Sequence, residues 1–188
     1  NGCLPSTKTE TITIKGTPTA TLPAAQVYCG AQIISFDAAD AKHKPTYDAN
    51  FGTITGYKWE VKVLSGEGEH SFENGSNSGS QYPVISFKKA AVYEVWAYAS
   101  NECGESFAPA KQRVTINPLP ELKASSPKQE ICIGESTTIS VTGADTYTWA
   151  PATGLSATTG NSVTAKPTET TTYTITGTNT STGCTSTT

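Results

Sequence analysis

Cysteine is the residue type in this chain whose number and spacing say most about its chemistry. Five cysteines occur, at Cys3, Cys29, Cys103, Cys132 and Cys184. No two of them form a C-x-x-C pair, and the chain has only two histidines, so the sequence predicts no metal site. Dispersed cysteines in small β-rich modules favour disulfides, which form and persist in oxidising compartments. We therefore expect an extracellular protein.

Catalysis by a nucleophile and a base would need a histidine beside a serine or cysteine. His43 and His70 both lie in polar stretches that are typical of exposed loops, and no serine has the glycine pattern of a nucleophile elbow. Acidic residues that could form a catalytic carboxylate pair also fall in loop-like segments. The sequence therefore predicts no catalytic residue and no enzyme.

Calcium is the one cofactor for which the sequence offers candidate ligands. Asp37, Asp40 and Asp48 flank a single predicted loop, and calcium prefers several oxygen ligands from one loop. Their spacing does not follow the D-x-D-x-D-G pattern. Surface solubility is the simpler explanation of these residues, so we expect no bound cofactor.

An internal repeat organises the chain. The motif at 101–103 (Asn-Glu-Cys) is followed by the strand-like segment Arg113–Ile116, and the motif at 1–3 (Asn-Gly-Cys) is followed in the same way by Thr11–Ile14. The motif begins a third time at residues 182–184. Repetition at this length is typical of arrays of modules.

The repeat predicts the domain organisation. Residues 1–17 would be the last strand of a preceding module, residues 18–117 a complete module, and residues 118–188 a second module with a truncated final strand. Low charge, abundant threonine and short alternating strands between Gly, Pro, Asn and Ser clusters are typical of Greek-key β-sandwiches. We predict an all-β chain of tandem immunoglobulin-like sandwiches.

An unpaired strand edge also invites strand addition, so residues 1–17 of one copy could complete residues 118–188 of another.

Recurring aromatic residues predict the cores. A buried tryptophan on the third strand is typical of such sandwiches, and Trp59 and Trp149 lie in matching Tyr-x-Trp motifs. Tyr93 and Tyr173 begin matching strands later in each module. In the second of these strands the threonines alternate with Tyr173, Ile175 and Gly177 and face water, which places Tyr173, and by the same register Tyr93, in the core.

The same alternation turns Trp96 and Tyr98 outward, which is unusual for two large aromatic side chains. Their flat rings could stack on the sugar rings of a polysaccharide and so form a binding surface. The alternative, which we favour, is that the segment Ser65–Gln81 or a neighbouring module covers them.

The motifs of the second module resemble those of a known family. They occur in the order Cys132-x-Gly134-Glu135-Ser136, Tyr147-x-Trp149-x-Pro151, Thr153–Ser156, Pro167–Tyr173 and Gly183-Cys184. This order resembles the PKD-like and Ig-like repeats of very large cell-surface proteins of Bacteroidota that the type IX secretion system exports. The first module resembles a sister type through Tyr57-x-Trp59, Tyr93 and Asn101–Ser106.

The resemblance implies extracellular, cell-surface repeats that space an adhesive tip from the cell, including those of gliding-motility adhesins, with neighbouring modules as partners. Two alternatives remain: a carbohydrate-binding module that uses its loops or exposed aromatic face, and accessory domains of a secreted polysaccharide hydrolase. The net charge of −3 without basic clusters argues against nucleic acid as a partner. No apolar run is long enough to predict a transmembrane helix.

The disulfide connectivity has two interpretations. Pairing within modules, which we prefer, joins Cys29 to Cys103 and Cys132 to Cys184, and leaves Cys3 single because its partner lies in a preceding module. However, the second and sixth strands of such a sandwich run in the same direction, so the two cysteines of one module would lie at opposite ends. The alternative joins Cys29 to Cys184 between modules and leaves Cys3, Cys103 and Cys132 unpaired.

Overall fold

The structure, a computed structural model, describes residues 10–37 and 39–188. Ten strands form its first part. They are β1 (Thr19–Thr21), β2 (Gln26–Cys29), β3 (Gln32–Ser35), β4 (Thr46–Asp48), β5 (Gly56–Gly66), β6 (His70–Glu73), β7 (Val84–Phe87), β8 (Ala91–Asn101), β9 (Gly104–Glu105) and β10 (Ala110–Asn117). One sheet has the order β2-β10-β8-β5 with β9 on β8, a second has the order β3-β7-β6, and β1 pairs with β4.

Six strands form the second part. They are β11 (Lys123–Ser125), β12 (Thr137–Thr142), β13 (Thr146–Ala150), β14 (Ser162–Ala165), β15 (Thr174–Thr178) and β16 (Thr185–Thr187). Their two sheets have the orders β11-β12-β14 and β13-β15-β16. No sheet of the described residues combines strands from both parts. The predicted all-β fold of tandem immunoglobulin-like sandwiches is confirmed; we refer to the parts as the first and second sandwich.

The core of the first sandwich follows from strict alternation along β8 and β10. Every second residue of β8 is buried, and Tyr93 is fully enclosed. Opposite it in the sheet lies Val114 of β10, which is also fully buried. Trp59 is 2% exposed and its ring centroid lies 5.0 Å from that of Phe36. The hydroxyl of Tyr93 donates to the carbonyl oxygen of Lys89 at 2.7 Å, which satisfies its polar end within the core.

The second sandwich has a smaller core, formed by five buried side chains: Val141, Tyr147, Trp149, Val163 and Ile175. Tyr173, which we predicted there, lies outside this cluster and is half-exposed. Tyr173 directly precedes β15, and its hydroxyl donates to the carbonyl oxygen of Thr153 at the surface. Its structural equivalent in the first sandwich is Val95 rather than Tyr93, because Trp149 pairs with Ile175 whereas Trp59 pairs with Ala97.

The two core tryptophans are held by the same pair of hydrogen bonds. The indole Nε1 of Trp59 donates to the carbonyl oxygen of Ser80 at 2.9 Å, and its backbone nitrogen donates to Ser78 at 2.7 Å. In Trp149 the corresponding bonds go to Gly160 at 2.8 Å and to Thr158 at 2.9 Å. The segment after the tryptophan strand is thereby fixed over the core in both sandwiches.

Replacing the second core tryptophan should destabilise its sandwich strongly. Trp149→Ala removes a nearly buried ring and leaves the Gly160 carbonyl without its donor, so we expect a loss of about 3–5 kcal/mol in the free energy of unfolding. Tyr173→Phe removes only the exposed hydrogen bond to Thr153 and should cost less than about 1 kcal/mol. Urea denaturation followed by circular dichroism measures both. Equal losses would show that Tyr173 belongs to the core after all.

Candidate functional site

A disulfide between Cys29 and Cys184 joins the two sandwiches. The Cα atoms of the two residues lie 5.5 Å apart and are separated by 155 positions in the sequence. Cys29 ends β2, and Cys184 lies in the turn between β15 and β16. Cys184 is completely buried in this contact. The link between sandwiches is therefore made by the end of β2 of the first sandwich and the β15–β16 hairpin of the second.

The pairing within modules that we preferred does not form. Cys29 lies beside Asn117, the last residue of β10, whereas Cys103 lies in the turn between β8 and β9, beyond the other end of β10. β10 has eight residues, so the two cysteines are separated by about 25 Å at about 3.3 Å per residue, far beyond the reach of a disulfide. Cys103 and Cys132 are free and exposed. Cys3, predicted to be unpaired, lies outside the described residues.

The linker between the sandwiches, residues 118–120 (Pro-Leu-Pro), packs closely against this junction. The backbone nitrogen of Gly30 donates to the carbonyl oxygen of Asn117 at 2.9 Å. Gly30 has a φ of +69°, and a Cβ at this position would lie 3.1 Å from Cδ1 of Leu119. On the other side, the hydroxyl of Ser186 donates to the carbonyl oxygen of Pro120. The linker is thus held by both sandwiches. The contact of Leu119 with Gly30 joins positions that are far apart in the sequence, so no local pattern predicts it.

The opposite end of the first sandwich repeats part of this arrangement. The Nδ2 of buried Asn101 donates to the carbonyl oxygens of Gly16, at 2.8 Å, and of Ala49, at 2.9 Å. Glu102 pairs with Lys15 and accepts a bond from the backbone nitrogen of Thr53. These contacts lower the pKa of Glu102 to about 2, so its carboxylate stays charged. The segment before the first sandwich is therefore fixed to the hairpin that carries Cys103.

His43 is not the exposed loop residue that we expected. Its side chain is 1% exposed. Its Nε2 lies 2.6 Å from the hydroxyl of Tyr28, and its Nδ1 lies 3.0 Å from Oε1 of Gln112. The Nε2 of Gln112 in turn donates to the carbonyl oxygens of Ala24 and Lys42. This buried network connects β2, β10 and the loop before β4. The network thereby links three separate segments of the first sandwich through buried hydrogen bonds.

His70 is partly buried on β6, and this burial lowers its pKa.

The carboxylates considered for calcium mainly stabilise their own turns. Asp37 accepts bonds from the hydroxyl of Ser35 and the backbone nitrogen of Ala39, which lower its pKa, and Asp48 accepts a bond from the backbone nitrogen of Asn50.

Two surveys of residues 10–37 and 39–188 bear on metals and membranes. No group of three or more His, Cys, Asp or Glu side chains in these ranges could hold a metal ion. The same ranges contain no helix long and apolar enough to cross a membrane.

The outward-facing aromatic pair is covered by lysine side chains. The ammonium of Lys62 lies 3.2 Å from the ring centroid of Trp96, and that of Lys111 lies 4.4 Å from it. Lys58 covers Tyr98 at 4.6 Å. Neither the segment Ser65–Gln81 nor a neighbouring module provides these contacts; they come from adjacent strands of the same sheet. A sugar could stack on either ring only if these lysines moved away.

Comparison with solved structures finds immunoglobulin-like chains. The D00-D0 domain of intimin is 15% identical, with a TM-score of 0.38; the match covers 85% of this chain and 90% of that one. The eight N-terminal Ig domains of Down syndrome cell adhesion molecule are 14% identical, with a TM-score of 0.44 and coverage of 93% and 27%. An I-band fragment of titin is 12% identical, with a TM-score of 0.39 and coverage of 93% and 64%. No protein-family model and no curated protein sequence matches the chain.

Removing the disulfide should release the two sandwiches from each other without unfolding either. In Cys29→Ser/Cys184→Ser we expect small-angle scattering to show a wider distribution of overall dimensions, because only the linker then joins the sandwiches. The loop that the bond closes contributes about 5 kcal/mol against complete unfolding, which urea denaturation would register. Scattering profiles that are identical with and without the bond would show that the linker contacts alone fix the junction.

The buried histidine network should contribute to stability and to nothing else. His43→Ala leaves Gln112 and Tyr28 without their buried partner, and we expect it to reduce the free energy of unfolding by about 2–4 kcal/mol. Tyr28→Phe deletes one hydrogen bond and should cost about 1 kcal/mol. Thermal and urea denaturation measure both. If the alanine variant were as stable as the parent chain, the network would have no structural role.

Proposed function

We propose that this chain is a structural segment of a large extracellular adhesin or filament stalk, in which linked modules hold an adhesive tip away from the cell. The observation that carries the proposal is the disulfide between the two sandwiches. It joins the end of β2 in the first sandwich to the β15–β16 hairpin of the second. A covalent bond between two modules prevents tension from pulling them apart, which suits a mechanical role.

The disulfide changes the path that a pulling force takes through the chain. Tension applied from before Cys29 to beyond Cys184 passes directly through the sulfur–sulfur bond. The 154 residues between these cysteines, which include both hydrophobic cores, are therefore not stretched. The covalent bond therefore keeps tension off both cores for as long as it is intact. This protection supports a load-bearing role.

The module boundaries belong to the same proposal. We place one module at 18–117 and the next at 118–188, with residues 1–17 as the final strand of a preceding module. Support comes from the separate hydrophobic clusters and from the equivalent tryptophan hydrogen bonds in the two sandwiches. Neighbouring modules of the same chain are then the main partners of each module.

We also infer that the parent protein is a type IX-secreted surface protein of Bacteroidota of the kind that includes gliding adhesins. The support is the ordered motif set of the second module, together with the structural roles of its members. Trp149 closes the core, and Cys184 makes the link between sandwiches. A disulfide also suits a cell-surface location in an oxidising environment.

Polysaccharide binding by Trp96 and Tyr98 is a weaker candidate, because lysines occupy the outer faces of both rings. A role as accessory domains of a polysaccharide hydrolase has no feature in the described residues that favours it. A glycan array separates these functions from the spacer role: binding that disappears in Trp96→Ala would favour the carbohydrate module.

Single-molecule stretching of the full chain from its two ends tests the spacer role directly. With the disulfide intact, the stretch from Cys29 to Cys184 should add nothing to the extension. After reduction, or in Cys29→Ser/Cys184→Ser, unfolding should add about 500 Å, since 155 residues extend by about 3.3–3.6 Å each. Cys103→Ser/Cys132→Ser is the matched control and should behave like the parent chain. Equal extension before and after reduction would refute the proposed load path.

A further inference from the structure

The outer face of the sheet β2-β10-β8-β5 combines positive charge with an aromatic ring. Every second side chain of β8 is buried, so the residues between them, including Trp96, point away from the core. Residues opposite one another on β5, β8 and β10 form rows across this face. One row is Glu60, Trp96 and Lys111, and the next is Lys62, Glu94 and Arg113. Trp96 therefore lies in the middle of a charged surface.

Two cations of this face are not neutralised by a carboxylate. Glu60 pairs with Lys58 at 3.0 Å and with Lys62 at 3.8 Å. Neither Lys111 nor Arg113 has an ion-pair partner among the described residues, and both side chains are exposed. They offer an ammonium and a guanidinium to an anionic ligand, and a guanidinium binds a carboxylate through two parallel hydrogen bonds. The face is therefore suited to carboxylates.

The indole of Trp96 is oriented by its neighbours and covered only by lysines. Its Nε1 donates to Oε2 of Glu94 at 2.7 Å, which fixes the direction of the ring and engages the carboxylate that lies beside Arg113. The ammoniums of Lys62 and Lys111 lie 3.2 Å and 4.4 Å from the ring centroid. A cation–π contact at an exposed site changes an equilibrium constant by only about two- to fivefold. A ligand can therefore displace a lysine from the ring at little cost.

We propose that this face binds an acidic polysaccharide, a polymer of uronic acids, through Trp96, Lys111 and Arg113. One sugar ring stacks on the indole in place of a lysine ammonium. The carboxylates of that sugar and of its neighbour bind the displaced ammonium and the guanidinium of Arg113. A neutral sugar would remove the lysine from the ring without giving it a new partner, whereas an acidic sugar supplies one. The lysines therefore select for charge.

The position of this face leaves the junction between the sandwiches free. Lys111 is the second of the eight residues of β10, and Asn117, beside Cys29, is the last. At about 3.3 Å per residue these two positions lie about 20 Å apart. A polysaccharide can therefore lie along the side of the first sandwich while the disulfide and the linker hold the second. Lateral adhesion of this kind goes beyond the spacer role and is compatible with it.

Isothermal titration calorimetry of the full chain with polygalacturonate at about 0.15 M salt tests this contact. At this salt concentration charges are screened beyond about 8 Å, so the local cations outweigh the net charge of −3. We expect polygalacturonate to bind at least about tenfold more tightly than its methyl ester, which has the same sugar rings without the charge. Poly-glutamate, which has the charge without the rings, should also bind at least about tenfold more weakly.

Substitutions assign the contact to particular side chains. Trp96→Ala removes the stacking surface and Lys111→Gln/Arg113→Gln removes both unpaired cations, and each should weaken binding of polygalacturonate at least about tenfold. Trp96→Phe keeps a flat ring and should retain most of the affinity. Lys123→Gln/Lys166→Gln makes the same change of two charges at exposed positions of the second sandwich and should bind like the parent chain. Circular dichroism verifies that every variant is folded.

The proposal is overturned by the absence of binding to polygalacturonate, by equal binding to its methyl ester or to poly-glutamate, or by unchanged binding in Trp96→Ala. Equal affinity for poly-glutamate would show that the face attracts any polyanion, an acidic protein segment included. Each of these results leaves the spacer role untouched, because stretching tests the load path through Cys29 and Cys184, to which Trp96 does not belong.

Discussion

The bond between Cys29 and Cys184 is the constraint on which the rest of the arrangement depends. A disulfide needs Cα atoms within about 7 Å, and the two residues meet this requirement at 5.5 Å only because they come from different sandwiches. Each sandwich has one cysteine near each of its two ends, and the length of the strands keeps these two cysteines too far apart to form a disulfide within the sandwich. Each cysteine can therefore pair only with a cysteine of a neighbouring sandwich. The disulfide therefore joins two domains instead of stabilising a single one.

The two sandwiches share an architecture but differ in the size of their cores. In the first, β10 lies between β2 and β8 and packs Val114 beside Tyr93. In the second, β16 pairs with Thr176–Thr178 of β15, and Tyr173 is half-exposed. The first core contains twelve buried residues and the second contains five.

Polar groups have a structural role throughout the first sandwich. The buried contacts of His43 with Tyr28 and Gln112 connect three separate segments, and Asn101 connects the last hairpin to the segment that precedes the first strand. Sequence reasoning placed His43 in an exposed loop because its immediate neighbours are polar. Its true partners lie 15 and 69 positions away, and no local pattern reveals such distances. The sequence did not predict the lysines over Trp96 for the same reason, because they come from strands that are adjacent only in the folded sheet.

The sequence by itself determined the class of fold, the strands and the alternation that buries Tyr93, Val95 and Ala97, because these follow from period-two patterns within short segments. It also determined that a tryptophan would lie in each core, because the same motif occurs twice. Only the tertiary structure decided which cysteines meet, since that depends on which ends of which strands come together. It likewise decided that Tyr173 is half-exposed, because the matching tyrosines Tyr93 and Tyr173 do not occupy equivalent positions in the two sheets. Local pattern sets the direction of a side chain, and only the assembled sheets determine what it faces.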